Sequence, residues 1–194
     1  MNTGSKFKDT TVRLVIAGRV ISHKGQFDAI RAVEKVSKEL DSPIELFVVG
    51  IMPEEMTDYE KMVVNYVQDN SLEHVVKFIP FTDKVEEVYR ACDIGLMCSK
   101  KEAFGRVTVE YMLSNLLVIG ANSGGTPELI ADKETGLLYE EGNYKALASS
   151  IQWAILHKDE SRMCISNGHN EAVARFSTRA NAEHVYNIYL DLLR

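Results

Sequence analysis

The sequence predicts an α/β fold, a parallel sheet with helices on both faces. Three observations point to it. Short apolar runs alternate along the chain with longer segments of helical spacing, the order that builds a parallel sheet with crossover helices. The runs are nearly continuously apolar, as strands buried on both sides are. Glycine or proline closes the runs, at Gly18, Gly50 and Pro80, where the chain has to turn.

Residues 1–11 read as a flexible leader, with none of the apolar core of a signal peptide. The first strand spans 12–17 and gives way to Gly18-Arg19-Val20 and a polar loop, Ser22-His23-Lys24-Gly25. Phe27, Ile30, Val33, Val36 and Leu40 fall three and four apart and predict a helix, which Asp41-Ser42-Pro43 breaks. A second strand over 44–49 stops at Gly50. A helix over roughly 56–70 precedes a strand over 75–79, closed by Pro80-Phe81-Thr82. A short helix, 84–91, leads into a buried strand over 93–97. Beyond Gly105, the positions Val107, Val109, Tyr111, Met112 and Leu113 are helical in spacing. A strand over 116–120, a loop over 123–128, a short helix over 128–131 and a short strand over 135–139 follow. Helices over 144–156 and 161–175 come next. Phe176-Ser177-Thr178 separates them from a terminal helix over 179–193, with Ala182, Val185, Tyr186, Tyr189 and Leu193 on one face.

Length and composition narrow the function classes. A chain of 194 residues suits one substantial core. The 45% hydrophobic and 26% charged content is that of a soluble globular protein. A net charge of −6 argues against a nucleic-acid surface. Cys92, Cys98 and Cys164 have neither zinc nor dithiol spacing, so reduced core thiols and a cytoplasmic location are expected. The five histidines are scattered without ligand spacing, and no metal site is expected. No apolar run reaches the ~18 residues of a membrane-spanning helix.

The stretch from Ser99 to Met112 is the chemical centre. Glu102 lies in the loop that leaves a strand, and Glu110 lies about two turns into the next helix. In an open α/β sheet such loops, at the carboxyl ends of the strands, are where ligands bind. The helix start at Phe104-Gly105 offers free N–H groups and a positive dipole end, which suit a phosphate or diphosphate. Arg19 and Lys24 follow the first strand at the same end of the sheet. Arginine offers a planar fork and lysine a point charge to such an anion. Taken singly, each of these residues has an ordinary structural reading as a solvated charge.

Glu102 and Glu110 are separated by seven residues with Phe-Gly between them. This resembles the E-x7-E signature of retaining GT-B glycosyltransferases of the group 1 family. Gly18-Arg19 and Lys24-Gly25 match that family's first-strand positions, and Gly124-Gly125-Thr126-Pro127-Glu128 and Thr135-Gly136-Leu137-Leu138 match further segments. The resemblance implies a Rossmann-like domain that binds a nucleoside-diphosphate sugar, with no cofactor. It gives Arg19 and Lys24 the donor diphosphate, with Gly18 beside them. Glu102 would lie beside the donor sugar, as nucleophile or as ligand of its hydroxyls. Glu110 would take the ribose hydroxyls. The backbone at Phe104 and Gly105 would meet sugar and phosphate, and Ile79-Pro80-Phe81 would cup the nucleobase.

Some positions depart from the family pattern. Ala103 stands for a glycine and Cys98 for a proline. Gly50-Ile51-Met52-Pro53 keeps only part of the second-strand turn, and Asn115-Leu116-Leu117-Val118 replaces Gly-x-Pro-Val. If the family backbone needs a positive φ at Ala103, a shifted loop is expected there. Asn115 can take the left-handed conformation in place of glycine.

The resemblance covers the C-terminal half of a family enzyme: a domain over 12–175, then a helix over 176–194 that would pack on an N-terminal half carrying the acceptor site. The expected function is sugar transfer to a hydroxyl acceptor, with this fragment inactive alone. The alternative is a non-catalytic nucleotide-sugar-binding module that acts through a partner protein.

Overall fold

The computed structural model describes residues 6–7, 9–177, 180, 182, 186 and 188–190. Six parallel strands form one sheet in the order β3-β2-β1-β4-β5-β6. They are β1 (Val12–Ala17), β2 (Ile44–Ile51), β3 (Val76–Pro80), β4 (Ile94–Met97), β5 (Leu117–Ala121) and β6 (Leu137–Tyr139). Among the described residues these α-helices connect or cover them: α1 (Gln26–Glu39), α2 (Asp58–Asp69), α3 (Val85–Ala91), α4 (Arg106–Leu113), α5 (Thr126–Leu129), α6 (Tyr144–Leu156) and α7 (Lys158–Phe176). The strand order runs outward from β1 in one direction and from β4 in the other. The crevice between β1 and β4 is therefore the topological switch point, where an open doubly wound sheet binds ligands.

Each strand serves two cores because successive side chains point to opposite faces. Val12, Leu14 and Ile16 of β1 face one layer, together with Leu117 and Ile119 of β5. That layer is closed by Ile30 and Val33 of α1, Val63 and Val67 of α2, and Leu147 and Ile151 of α6. Val15 and Val118 face the other layer, closed by Tyr89 of α3, Tyr111 and Met112 of α4, Leu129 of α5 and Ala172 of α7. Burial on both faces is why these strands read as continuous apolar runs.

Several boundaries differ from the sequence expectation, each for a local reason. The second long helix starts at Asp58 because Thr57 and Glu60 form a reciprocal capping box, so Met56 stays outside. The short helix expected over 128–131 starts earlier, at Thr126, with Pro127 in its first turn. The last strand is confined to 137–139, since the Thr135 hydroxyl takes the Ala131 N–H and holds that segment in a turn. The helix expected from Ser161 begins at Lys158 and runs three residues longer at its start. Asn115 does adopt the left-handed conformation, with φ +57°.

Two residues of the expected flexible leader are docked. Lys6 and Phe7 are buried. Phe7 donates its backbone N–H to Asp93 Oδ1 at 2.7 Å, while Arg13 donates its own to Oδ2 at 3.0 Å. The Lys6 ammonium donates to the carbonyls of Tyr89, Arg90 and Cys92 at the C-terminal end of α3. Burial pulls the Lys6 pKa below its ordinary value, against the charge of Asp93, which raises it. The terminal helix expected over 179–193 lies mostly outside the described residues. Ala180, Ala182, Tyr186 and 188–190 are helical, and Tyr186, Ile188, Tyr189 and Leu190 are exposed.

Candidate functional site

Two adjoining cavities open at the carboxyl ends of β1, β2 and β4. The smaller, about 130 Å³, is lined by Gly18, Lys24, Ser99, Glu102, Gly105 and Arg106 among others. The larger, about 540 Å³, is lined by Arg19, Gly50, Met52, Phe81, Val85 and Tyr89. Ala17, Gly18 and Val107 border both, so the two form one cleft across the switch point.

The smaller cavity holds the charges. Lys24 Nζ lies 2.6 Å from Glu102 Oε2, although 78 residues separate them in sequence. Two close backbone approaches bring them together. Gly25 has φ +75°, and a Cβ there would lie 2.3 Å from the Cys98 carbonyl oxygen, so only glycine lets this loop press on the end of β4. Gly124 has φ +58°, and a Cβ there would lie 2.3 Å from the Glu102 carbonyl oxygen. Gly125 then donates its N–H to that same oxygen at 2.7 Å. The Gly-Gly pair, legible in sequence only as turn glycines, thus grips the Glu102 loop from beneath.

Burial works against ionisation of Glu102, but bonds from Lys24 and Ser99 and the Lys24 charge hold its carboxyl below the usual range. It is a carboxylate at neutral pH, directed into a pocket that also holds a cation. Ala103 is not strained: the left-handed turn in this loop falls at Lys101, φ +53°, so the loop needs no glycine at 103. Gly105 is the N-cap of α4, whose first N–H groups follow it. Phe104 is half exposed and meets Phe176 edge-on, with ring centroids 5.8 Å apart.

The larger cavity is mainly apolar. Arg19 is exposed at its border, and Gln26 fixes its backbone by donating from Nε2 to the Arg19 carbonyl at 2.9 Å. Among the described residues Arg19 has no acidic partner. Phe81 is 74% exposed, with its backbone N–H on the Ile51 carbonyl at 3.2 Å. Its ring is free to cover a ligand. Pro80 is exposed and ends β3; Ile79 is half-buried and packs into the layer that holds Val15, Val118 and Tyr111. Glu110 sits on the exposed side of α4, where Tyr89 donates its hydroxyl to Oε2 at 3.3 Å. Tyr89 is the cleft residue that spacing misses. A buried tyrosine needs a partner for its hydroxyl, but nothing local identifies a carboxylate 21 residues away. The three cysteines are free and buried, and burial pushes the thiols of Cys92 and Cys98 up to about 12. Among the described residues no three of histidine, cysteine, aspartate and glutamate come together to hold a metal ion, and no helix is long and apolar enough to cross a membrane.

Fold and site together define a Rossmann-like α/β domain with a charged cleft at its switch point. The chain belongs to the glycosyl transferases group 1 family, whose model matches residues 3–171. It is 29% identical over 167 residues to the N-acetyl-alpha-D-glucosaminyl L-malate synthase of Bacillus anthracis, covering 86% of this chain and 42% of that protein. It spans about two fifths of the length of the curated relatives that it matches over most of its own length. Among solved structures, Anabaena HepE in complex with UDP and glucose superposes with a TM-score of 0.81 at 27% identity, over 93% of this chain and 48% of that one. The C-terminal domain of the group 1 family protein LpcC from Francisella tularensis superposes with a TM-score of 0.74 at 28% identity, over 85% of each chain. The neighbours are GT-B glycosyltransferase domains.

Proposed function

We propose that this chain is the donor-binding half of a retaining glycosyltransferase and holds a nucleoside-diphosphate sugar in the cleft. The observation that carries the reading is the Lys24–Glu102 pair, 2.6 Å apart, at the switch point and beside the N-terminus of α4. In this reading Lys24 and Arg19 take the diphosphate, one as a point charge and one as a fork, together with the free N–H groups that follow Gly105. They stabilise the charge that develops on the leaving nucleoside diphosphate, with no metal ion. Glu102 stays ionised beside the sugar, where its charge stabilises a cationic transition state. Retention follows from the resemblance of Glu102 and Glu110 to the E-x7-E pair. Glu110 takes the ribose hydroxyls, and Ile79-Pro80-Phe81 borders the nucleobase. UDP in the HepE complex favours uridine among the bases.

The superposition on a C-terminal domain supports placing this chain in the second half of a longer enzyme, with 12–175 as the donor domain and 176–194 as a helix that packs on the first half. The first half carries the acceptor hydroxyl. The chain alone then binds donor without transferring sugar, since transfer needs both reactants held in register. The cytoplasm, where nucleotide sugars are available, is the location that fits.

The test is titration calorimetry with UDP and with uridine. Lys24→Ala and Arg19→Ala are each expected to weaken UDP by about 1.5–3 kcal/mol, one to two decades, and to leave uridine unchanged. Equal losses for both ligands would make the two cations structural. Incubation of the unmodified chain with UDP-glucose and simple alcohols is expected to yield no glycoside. Multiple turnovers would refute the half-site reading.

A further inference from the structure

We infer that Tyr89 is the positioning residue for Glu110, and so sets how strictly the site selects a ribose over a deoxyribose. The inference rests on the donor-site reading above and assigns a role to a residue that the reading does not use. Glu110 stands on the exposed side of α4, with Tyr89 as its one side-chain hydrogen-bond partner among the described residues. A glutamate so exposed samples several rotamers and loses that freedom when a ligand binds. The bond from the Tyr89 hydroxyl to Oε2, at 3.3 Å, removes part of that freedom beforehand. It also leaves Oε1 and the remaining lone pair of Oε2 for two ligand hydroxyls.

Tyr89 can do this because its ring is packed in the core. It is 1% exposed, its ring meets Tyr111 edge-on with centroids 4.9 Å apart, and both rings lie in the layer that holds Val15 and Val118. Tyr111 is fixed in turn. Its hydroxyl oxygen accepts the Ala17 N–H at 2.8 Å, and its ring fills the space that a Cβ on Gly95 would occupy. Ala17 precedes Gly18 in the floor of the cleft. The two tyrosines therefore tie the ribose-side carboxylate to the diphosphate-side strand end. From behind, the Lys6 ammonium holds the carbonyls of Tyr89 and Arg90, at 3.5 and 3.3 Å. Burial and the Glu110 charge push the Tyr89 phenol well above its ordinary pKa, so it remains a donor across the physiological range.

The experiment compares Tyr89→Phe, Glu110→Gln and the double variant of the 194-residue chain by calorimetry. UDP, GDP and ADP are screened first, and the tightest is paired with its 2′-deoxy counterpart. Tyr89→Phe keeps the ring and is expected to weaken the ribose ligand about fivefold, to leave the deoxy ligand unchanged, and to leave the ligand-free melting temperature nearly unchanged. In the Glu110→Gln background the same change is expected to do almost nothing, the sign of two residues acting as one unit. Equal losses for ribose and deoxyribose ligands, or a lowered melting temperature with no change in their ratio, would make Tyr89 a core residue only. If Glu110→Gln alters the ribose-to-deoxyribose ratio and Tyr89→Phe does not, the inference fails and the donor-site reading stands. If no diphosphate binds, or Glu110→Gln leaves the ratio unchanged, both fail.

Discussion

At the amino ends of β1 and β4 the buried charges hold backbone, while Arg13 pairs with Asp9 and Glu45; at their carboxyl ends the charges face a cleft. Asp93, at the start of β4, accepts two backbone N–H groups, from Phe7 and Arg13. Lys6 fills the carbonyls at the end of α3. At the other end Lys24 and Glu102 have each other, with 31% and 18% of their side-chain surface exposed, and Arg19 has no acidic partner among the described residues. The same two central strands thus carry an end whose buried charges are turned to backbone and an end whose charges line a cleft. Their difference lies in where hydrogen-bonding capacity remains open, since both ends contain acids and cations within reach of each other.

The largest expected effect comes from breaking the carboxyl end through its backbone. Gly124→Ala places a Cβ 2.3 Å from the Glu102 carbonyl oxygen at a φ of +58°. It should destabilise the chain by about 2–4 kcal/mol and displace the Glu102 loop, abolishing diphosphate binding. Urea unfolding and calorimetry report the two effects; a variant with unaltered affinity would show that the Gly-Gly grip does not position the site.

Asp93→Asn tests the opposite end. One carboxylate oxygen becomes an NH2 group that faces a backbone N–H, so about 2 kcal/mol of stability should be lost with nucleotide affinity unchanged. A tenfold fall in affinity at an unchanged fold would mean that the two ends are coupled and the contrast is false.

The smallest effect sharpens the comparison by pH. Burial raises the Glu102 pKa, but the bonds from Lys24 and Ser99 outweigh it and leave the carboxyl below the ordinary 4.5. A depressed folded pKa contributes stability that is present above the unfolded value and lost as pH falls through the folded one. Glu102→Gln should therefore cost under about 1 kcal/mol at pH 7, given the partial exposure of the pair, and the difference from the unmodified chain should shrink as pH drops below 4.5. Denaturation curves from pH 7 to pH 3 that stay parallel would assign the pair no such contribution.

Much of the domain was legible in the sequence because its signals are local. The apolar runs of β1 and β5 and the three-and-four spacing of α1 are satisfied within one element, so strand and helix type could be read directly. Glu102, Glu110, Lys24 and Arg19 were legible as residue types in a family-like spacing. Boundaries were less so: the Thr57–Glu60 box and the Thr135 turn depend on which side chain reaches which backbone group. The docking of Lys6 and Phe7 could not be read, because their partners lie more than 80 residues away.

Sequence by itself determined the alternation of elements, the continuous burial of the strands and the placing of Arg19, Lys24 and Glu102 in loops that follow strands, with Glu110 on the helix beyond. These follow from periodicity, turn residues and chemistry that neighbours along the chain decide. Only the tertiary structure decided that β1 lies beside β4, that Lys24 pairs with Glu102 across 78 residues, that Gly124 and Gly125 clamp the Glu102 loop and that Tyr89 meets Glu110. The physical reason is that strand order and close backbone contacts are set by how helices cross over and pack on the sheet, a property of the whole chain with no counterpart in the spacing of any one segment.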